Sequence, residues 1–258
     1  MAQKRILLIT HTLPIRDIYR KLHNIFHLTM FTKHIPNTIT CLNLLSGCVA
    51  VISALTGNIH MVVWCIALSA IFDFCDGLAA RLLHAYSPMG KELDSLADLI
   101  SFGLAPALML YTTLQEHLPQ HLTWMAYASL LIPIFAALRL AKFNIDDNQS
   151  TTFSGLPVPA NALWWIGACR LLTENNNDIT TWSVTASILL FSYLMICNLP
   201  MFSLKFKGLQ WRGNEIRYIM IAASTLLLLW QGVTGCASVI GLYILLSILC
   251  KKLSSHRS

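Results

Sequence analysis

The chain has 258 residues, of which 55% are hydrophobic and 12% are charged, and its formal net charge is +6. Soluble domains carry about a quarter charged residues, so this composition excludes an ordinary soluble protein and predicts several membrane-spanning helices. The net positive charge alone would fit a nucleic-acid partner. Its distribution along the chain, described below, favours a membrane protein that binds no nucleic acid.

The N-terminal 35 residues are more polar than the rest. Five apolar side chains between their basic residues fall on one face of a helix: Ile15, Ile18, Leu22, Ile25 and Phe26. This spacing predicts an amphipathic segment over residues 1–35 that lies on the membrane surface. The alternative is that translation begins at Met30, so that residues 1–29 are not translated.

Residues 36–258 are predicted to form one membrane-embedded domain. A helix needs about 20 mostly apolar residues to cross a bilayer. Eight stretches come close to this length: Ile39–Leu55, Ile59–Ala80, Leu93–Leu114, Leu122–Ala141, Val158–Leu172, Thr181–Leu199, Tyr218–Gln231 and Thr234–Leu249. The sequence therefore predicts an all-α, polytopic transmembrane helix bundle of about eight spans.

The basic residues indicate how these spans are oriented. If the N-terminus is cytoplasmic and all eight stretches cross, 17 of the 18 Lys and Arg residues lie on the cytoplasmic side, and only Arg170 lies outside. This asymmetry is what the positive-inside rule requires. It predicts cytoplasmic termini, and with no processing signal in the sequence we expect a bacterial inner membrane.

Four acidic residues form two pairs with helical spacing. Asp73 and Asp76 are three residues apart inside an apolar run, and Asp94 and Asp98 are four residues apart near the start of the next span. Either spacing places both carboxylates on one face of a helix. Because a short loop joins the two spans, the two pairs are expected to meet.

Four carboxylates near a bilayer repel one another and are costly to ionise. One or two divalent ions would neutralise them, and carboxylate oxygens favour Mg²⁺ or Mn²⁺. Two such ions can clamp a phosphate group during an in-line displacement. Gly77 leaves room for a phosphate, and Arg81 can pair with its oxygens. The alternative, four unrelated acids in a wet loop, does not explain why two interrupt an apolar run.

Residues 73–98 read DFCDGLAARLLHAYSPMGKELDSLAD. They fit the pattern DxxDGxxAR, then eight residues, then GxxxDxxxD, which resembles the signature of the CDP-alcohol phosphatidyltransferase family. Residues 36–40, PNTIT, are similar to the family's entry into its first span. The family consists of polytopic membrane enzymes that are commonly homodimeric.

The resemblance implies roles for individual residues. Asp73, Asp76 and Asp94 would ligate divalent metal, Mg²⁺ or Mn²⁺ and two ions in number. Asp98 would also face the metals and act as the general base toward the acceptor hydroxyl. The CDP moiety of the donor lipid would be surrounded by Gly77, Ala80, Arg81 and Gly90, with Asn37 and Thr40 approaching the same nucleotide.

Two further stretches look like the phosphatidylserine synthase branch of that family: residues 137–144, ALRLAKFN, and residues 153–160, FSGLPVPA. This likeness implies CDP-diacylglycerol as donor, L-serine as acceptor and membrane lipids as surroundings. Serine carries a carboxylate, which a cation would bind. Arg139 and Lys142 are the candidates, although both also read as ordinary basic residues flanking a cytoplasmic helix end.

Two other functions stay open at this point. A sibling enzyme would use glycerol 3-phosphate or an inositol acceptor, and glycerol 3-phosphate would need the same cations. A cation-coupled membrane transporter would also place acids inside the bilayer. A transporter does not require the spacing of Gly77, Arg81 and Gly90 around the aspartates.

Overall fold

The computed structural model describes residues 15–145, 153–175, 177–201 and 214–255. Within these ranges the fold is an all-α bundle, which confirms the predicted fold class. Its helices are α1 (Ile15–Leu55), α2 (Ile59–Leu82), α3 (Pro88–Asp98), α4 (Ala105–His117), α5 (Leu131–Ile145), α6 (Val158–Glu174), α7 (Asp178–Ile196), α8 (Glu215–Gln231) and α9 (Gly235–Ser255). One short antiparallel pair, β1 (Phe153–Ser154) with β2 (Pro200–Met201), aligns Phe153 with Met201.

Six helical stretches of the described residues are long and apolar enough to cross a membrane: His34–Leu55, Ile59–Leu82, Pro88–His117, Gln120–Ile145, Asp178–Ile196 and Glu215–Leu249. The last contains both α8 and α9, which a 3₁₀ turn at Gly232–Thr234 separates. The chain reverses there, since a Cβ added at Gly235 would lie 2.7 Å from the carbonyl oxygen of Leu227. Helix α6, with 17 residues, is shorter than a typical span. Each of the eight apolar stretches predicted from the sequence is helical over most of its length, and the number of about eight spans stays a prediction.

Helix α1 continues without a break from Ile15 into the first apolar stretch. Residues 1–14 of the predicted amphipathic segment lie outside the described residues. The surface location of residues 1–35 stays a prediction, as does the alternative start at Met30.

The stretch Pro88–His117 lies at the centre of the bundle. Of the 18 most apolar consecutive residues in this stretch, 56% are buried, whereas the corresponding share is 22–39% in the other five candidate spans. Met109, Leu110 and Leu114 of α4 are fully buried and pack into one core with side chains from neighbouring helices. Helix α3 forms the first part of this stretch, so Asp94 and Asp98 lie at one end of it, ahead of the buried side chains of α4.

A π-helical turn, Leu99–Leu104, interrupts this central stretch just after Asp98. The N–H of Ala105 donates to the carbonyl of Ile100, five residues earlier. Pro106 follows, and proline has no N–H and disfavours a regular helix over the preceding turn. The turn brings Ser101 against Gly47 of α1, where an added Cβ would lie 2.9 Å from Ser101 Cα. π-Helical turns of this kind are frequent at functional sites.

Arg170, the one basic residue that the predicted topology places outside, is ion-paired. Its Nε lies 2.8 Å from Glu174 Oε1, one turn along α6. The other oxygen, Glu174 Oε2, accepts a 2.9 Å hydrogen bond from the hydroxyl of Thr234. The pair thus also joins α6 to the turn between α8 and α9.

Candidate active site

A short turn brings the two aspartate-bearing helices together. After α2 the backbone enters the left-handed region at His84, with φ of 51°, and the N–H of Ala85 donates to the carbonyl of Ala80. Ser87 caps α3, because its hydroxyl accepts a 3.0 Å hydrogen bond from the N–H of Gly90. Pro88 occupies the first helical position, where its missing N–H costs nothing. The predicted proximity of the helix ends follows from this turn.

The turn places three carboxylates in one cluster. Asp73, Asp76 and Asp94 each offer an oxygen, and these oxygens all lie within 4.8 Å of one another. The carboxyl groups of Asp73 and Asp94 interact directly, and only 6% of Asp76 is exposed. Oδ1 of Asp94 is buried and has no hydrogen-bond partner among the described residues. Three crowded carboxylates with an unsatisfied oxygen are the donor set that Mg²⁺ or Mn²⁺ binds, so the residues fit the predicted metal.

Asp98 lies one helical turn beyond Asp94 and is outside this group of three. Its Oδ1 accepts a 3.3 Å hydrogen bond from Nδ2 of Asn43. Its charge lies close enough to act on Asp73 and Asp94 and on the guanidinium of Arg139. The four predicted aspartates therefore meet at one end of the bundle, with three in a cluster and Asp98 beside it.

Thr40 contacts an acid of the cluster. Its hydroxyl lies 2.6 Å from Oδ2 of Asp76 and donates to it, and it also lies 3.0 Å from the carbonyl of Pro36, one turn earlier in α1. The family resemblance places Thr40 near the nucleotide, and its contact with Asp76 was not expected. Such a contact orients a ligating carboxylate.

A cavity of about 190 Å³ adjoins the cluster. Its lining residues are Pro36, Asn37, Thr40, Asp76, Gly77, Ala80, Ala85, Tyr86, Ser87, Gly90, Lys91 and Asp94. Five of the six residues predicted to surround the CDP moiety are among them. The sixth, Arg81, is exposed and its Nε donates to the carbonyl of Gly77, 3.0 Å away, so the structure brings it to the rim and not into the lining.

Lys91, which lines the cavity, forms a polar link with Asn144 that the sequence did not predict. Nζ of Lys91 donates to the backbone carbonyl of Asn144 at 2.9 Å. Nδ2 of Asn144 lies 3.0 Å from the hydroxyl of Ser95 and 3.3 Å from Oε2 of Glu92. The link joins α3 to the end of α5. Its signal in the sequence was slight, since Lys91 merely follows Gly90 and Asn144 ends the stretch ALRLAKFN.

The two predicted acceptor residues lie in different surroundings. Nε of Arg139 is buried and finds no hydrogen-bond partner in the part of the chain that the structure describes, and the guanidinium interacts electrostatically with Asp98 and with Tyr243 of α9. Lys142, one turn later, is exposed, and its Nζ donates to Oδ1 of Asn198 at 3.1 Å. The structure thus brings Arg139 to the aspartates and turns Lys142 toward the residues after α7.

Comparison with known proteins agrees with this geometry. Residues 33–249 match the model of the CDP-alcohol phosphatidyltransferase family. The chain is 39% identical over 165 residues to the CDP-diacylglycerol–serine O-phosphatidyltransferase of Bacillus subtilis, which covers 64% of this chain and 87% of that one. A protein of that name from Helicobacter pylori is 32% identical over 219 residues, covering 83% and 89%.

A third relative of the same name, from Mycobacterium leprae, is 36% identical over 176 residues, which cover 65% of this chain and 57% of that protein. The chain thus spans little more than half the length of this relative. The family model, in contrast, covers most of the chain, including all four aspartates and the cavity lining. The chain therefore belongs to the CDP-alcohol phosphatidyltransferase family and is a transferase.

Proposed function

We propose that the chain transfers the phosphatidyl group of CDP-diacylglycerol to the hydroxyl of L-serine, giving phosphatidylserine and CMP. The observation that supports this proposal is a carboxylate cluster that adjoins a cavity on one side and meets Asp98 on the other, where the guanidinium of Arg139 interacts electrostatically with Asp98. The names of the relatives provide the two substrates. We assign the two substrates to opposite sides of the carboxylate cluster.

The donor nucleotide is assigned to the cavity. Gly77 and Gly90 keep its wall free of side chains, and Lys91 is the cation among its lining residues. The diphosphate would also meet Asp76 and Asp94, which repel it. Divalent ions, Mg²⁺ or Mn²⁺ and two in number, would be held by Asp73, Asp76 and Asp94 and would supply the positive charge that a diphosphate needs next to these acids.

The acceptor is assigned to the side that Asp98 and Arg139 share. The guanidinium of Arg139 binds the serine carboxylate, since a charged pair in a partly buried site gives a strong hydrogen bond. This contact directs the serine hydroxyl toward Asp98. Lys142, held by Asn198, is assigned to the rim of the same site.

The reaction is then an in-line displacement. Asp98 takes the proton from the serine hydroxyl, and the oxygen forms a bond to the lipid-side phosphorus. The bond between that phosphorus and the bridging oxygen breaks, and CMP leaves with the electron pair. Arg81 at the rim is placed to pair with the departing phosphate.

The site is assigned to the cytoplasmic face of a bacterial inner membrane. Lys91, Arg139 and Lys142 lie at the same end of the bundle as the aspartates, and the positive-inside rule places such residues in the cytoplasm. Both substrates and CMP are then exchanged on the side where nucleotides are made.

The test uses purified protein with CDP-diacylglycerol, a divalent ion and, in separate reactions, radiolabelled serine, glycerol 3-phosphate or inositol acceptors. Label entering lipid from serine alone, with an equal amount of CMP released, is expected. Transfer to another acceptor would favour a sibling activity, and no CMP release with any acceptor would favour a transporter.

The assignment of the base is tested by Asp98→Asn. This variant should lose turnover at least a hundredfold and keep its affinity for CDP-diacylglycerol. Asp178→Asn, which changes an exposed acid at the start of α7, is the matched control and should leave turnover unchanged. Retained turnover in Asp98→Asn would remove Asp98 as the base.

A further inference from the structure

Asn43 is a fully buried amide that contacts Asp98, and the reaction scheme above gives it no part. It lies on α1, three residues after Thr40, and none of its surface is exposed. Nδ2 of Asn43 donates to Oδ1 of Asp98 at 3.3 Å, and Oδ1 of Asn43 accepts a 2.8 Å hydrogen bond from the hydroxyl of Ser101. Both ends of the amide are therefore engaged.

These partners determine which way the amide points. An ionised carboxylate only accepts hydrogen bonds, so the NH₂ of Asn43 must face Asp98. The amide oxygen then faces Ser101 and needs a donor, which the hydroxyl provides. Without the Ser101 hydroxyl the buried oxygen would lack its partner, and the amide would no longer be held in one orientation.

The two serines around Asn43 make different contacts with it. Ser101 lies on the π-helical turn and bonds the amide oxygen, and its hydroxyl is also 3.1 Å from the backbone carbonyl of Asn43. Ser69 of α2 bonds only that backbone carbonyl, at 3.3 Å. Both serines are fully buried. The chain thus contains a pair of buried hydroxyls that differ in whether they touch the amide.

We propose that Asn43, held by Ser101, is the positioning residue for Asp98. Asn43 engages Oδ1 of Asp98 and so leaves Oδ2 to take the proton from the acceptor hydroxyl. A carboxylate free to rotate would offer the proton-accepting oxygen in the correct direction for only part of the time. This inference rests on the proposed role of Asp98 as base.

The experiment compares Ser101→Ala with Ser69→Ala in purified protein. Each variant removes one buried hydroxyl, so each is expected to lower Tm by a similar amount. Ser101→Ala should lower kcat about tenfold with little change in the KM for CDP-diacylglycerol, because a charged carboxylate loses its fixed partner. Ser69→Ala should keep kcat within about twofold.

Two substitutions of Asn43 extend the comparison. Asn43→Leu removes the donor at similar volume, and Asn43→Asp keeps the shape but places a second acid against Asp98. Both should lower kcat about a hundredfold while binding of CDP-diacylglycerol, measured without serine, stays within about threefold of the unchanged chain. If either fails to fold, the serine pair still decides the matter.

The inference is overturned if Ser101→Ala and Ser69→Ala lose kcat equally, since the hydroxyls would then act only through stability. It is also overturned if the whole loss appears in the KM for the donor. Failure of the proposed function gives a different result, because the unchanged chain would then transfer no label from serine. Failure of the base assignment alone would leave turnover in Asp98→Asn. If Asp98→Asn loses turnover but Ser101→Ala keeps the kcat of the unchanged chain, the positioning role of Asn43 is excluded and the role of Asp98 is retained.

Discussion

The hydroxyl of Thr40 donates a 2.6 Å hydrogen bond to Oδ2 of Asp76, across the contact between α1 and α2. Thr40 and Asp76 are both nearly inaccessible, with 3% and 6% of their surface exposed. The bond holds the carboxylate of Asp76 in one orientation beside the other acids of the cluster. The helix before the aspartates therefore takes part in shaping the cluster, although it carries none of its carboxylates.

Replacing Thr40 by Val should lower kcat/KM about tenfold, because losing a hydrogen bond to a charged group costs about 1.5–3 kcal/mol when its partner stays buried. Thr40→Ser keeps the hydroxyl and should retain most of the activity. Steady-state kinetics with varied metal concentration provide the measurement, and Thr40→Val should need more metal for half-maximal rate.

The control for Thr40 is Thr38→Val. The hydroxyl of Thr38 makes the same type of bond to the carbonyl four residues earlier, at His34, but it is exposed and contacts no acid. It should leave both kcat/KM and the metal requirement unchanged. A matching loss in the two Val variants would show that Thr40 serves the helix and not the acid.

The carboxylate cluster should make the metal-free protein less stable than a neutralised variant. In EDTA, Asp73→Asn should raise Tm by several degrees, because it removes repulsion from Asp76 and Asp94. Added Mn²⁺ or Mg²⁺ should raise Tm strongly in the unchanged chain and weakly in Asp73→Asn, since binding to the folded state stabilises it. Thermal unfolding followed by tryptophan fluorescence measures both.

Glu116→Gln is the control for this comparison, because Glu116 is an exposed acid on α4 that is absent from the cluster. Its Tm should respond to metal as the unchanged chain does. Identical metal responses in Asp73→Asn and the unchanged chain would contradict ligation by Asp73.

The space beside Gly77 should be needed by the donor and not by the fold. A Cβ at Gly77 would meet only Nη2 of Arg81, at an ordinary 3.6 Å, so Gly77→Ala should fold with Tm unchanged or slightly higher. Because the methyl group enters the cavity, we expect affinity for CDP-diacylglycerol to fall about tenfold, which is about 1.4 kcal/mol. Equilibrium binding with a labelled CDP-lipid gives the affinity.

Substitutions at Gly90 and Gly241 serve as comparisons for Gly77→Ala. A Cβ at Gly90 would lie 2.9 Å from Oδ1 of Asn37 and 3.0 Å from Oγ of Ser87, so Gly90→Ala should lower both Tm and affinity. A Cβ at Gly241 of α9 would meet only Trp164, at 3.9 Å, so Gly241→Ala should change neither. Unchanged donor affinity in Gly77→Ala would mean that the nucleotide does not occupy this cavity.

The helices could be predicted closely because a bilayer imposes one demand on every span. Backbone groups inside lipid must be satisfied internally, and apolar length is therefore visible directly in the sequence. The second span was predicted at Ile59–Ala80 and found at Ile59–Leu82. The observed end lies two residues beyond the predicted one, because Arg81 and Leu82 continue the helix into polar surroundings, where hydropathy does not indicate where a helix ends.

The aspartates could also be predicted, because acids inside an apolar run are costly and so demand a reason. The residues that orient them could not. Asn43, Ser69 and Ser101 are each flanked by apolar residues, on three different helical stretches. Isolated polar side chains of this kind usually bond to their own helix. Their convergence depends on how three helices pack and on the π-helical turn, which Pro106 alone indicates only as a local disturbance.

The link at Asn144 should control the acceptor side. The side-chain amide of Asn144 joins α5 to Ser95 and Glu92 of α3. Because Arg139 lies on α5 and Asp98 on α3, we expect this link to influence the distance between them. Asn144→Ala should raise the KM for serine about fivefold to tenfold and change the KM for CDP-diacylglycerol by less than about twofold, because Lys91 is held by the backbone carbonyl, which the substitution keeps.

Asn175→Ala is the matched control for Asn144, since the amide of Asn175, just after α6, is exposed and, among the residues that the structure describes, donates only to the carbonyl of Leu171. It should leave both KM values unchanged. Ser95→Ala removes the shorter of the two amide contacts and should reproduce part of the effect of Asn144→Ala. A rise in the donor KM equal to that for serine would mean that the link shapes the whole mouth of the site, and an unchanged serine KM would mean that Arg139 keeps its place without it.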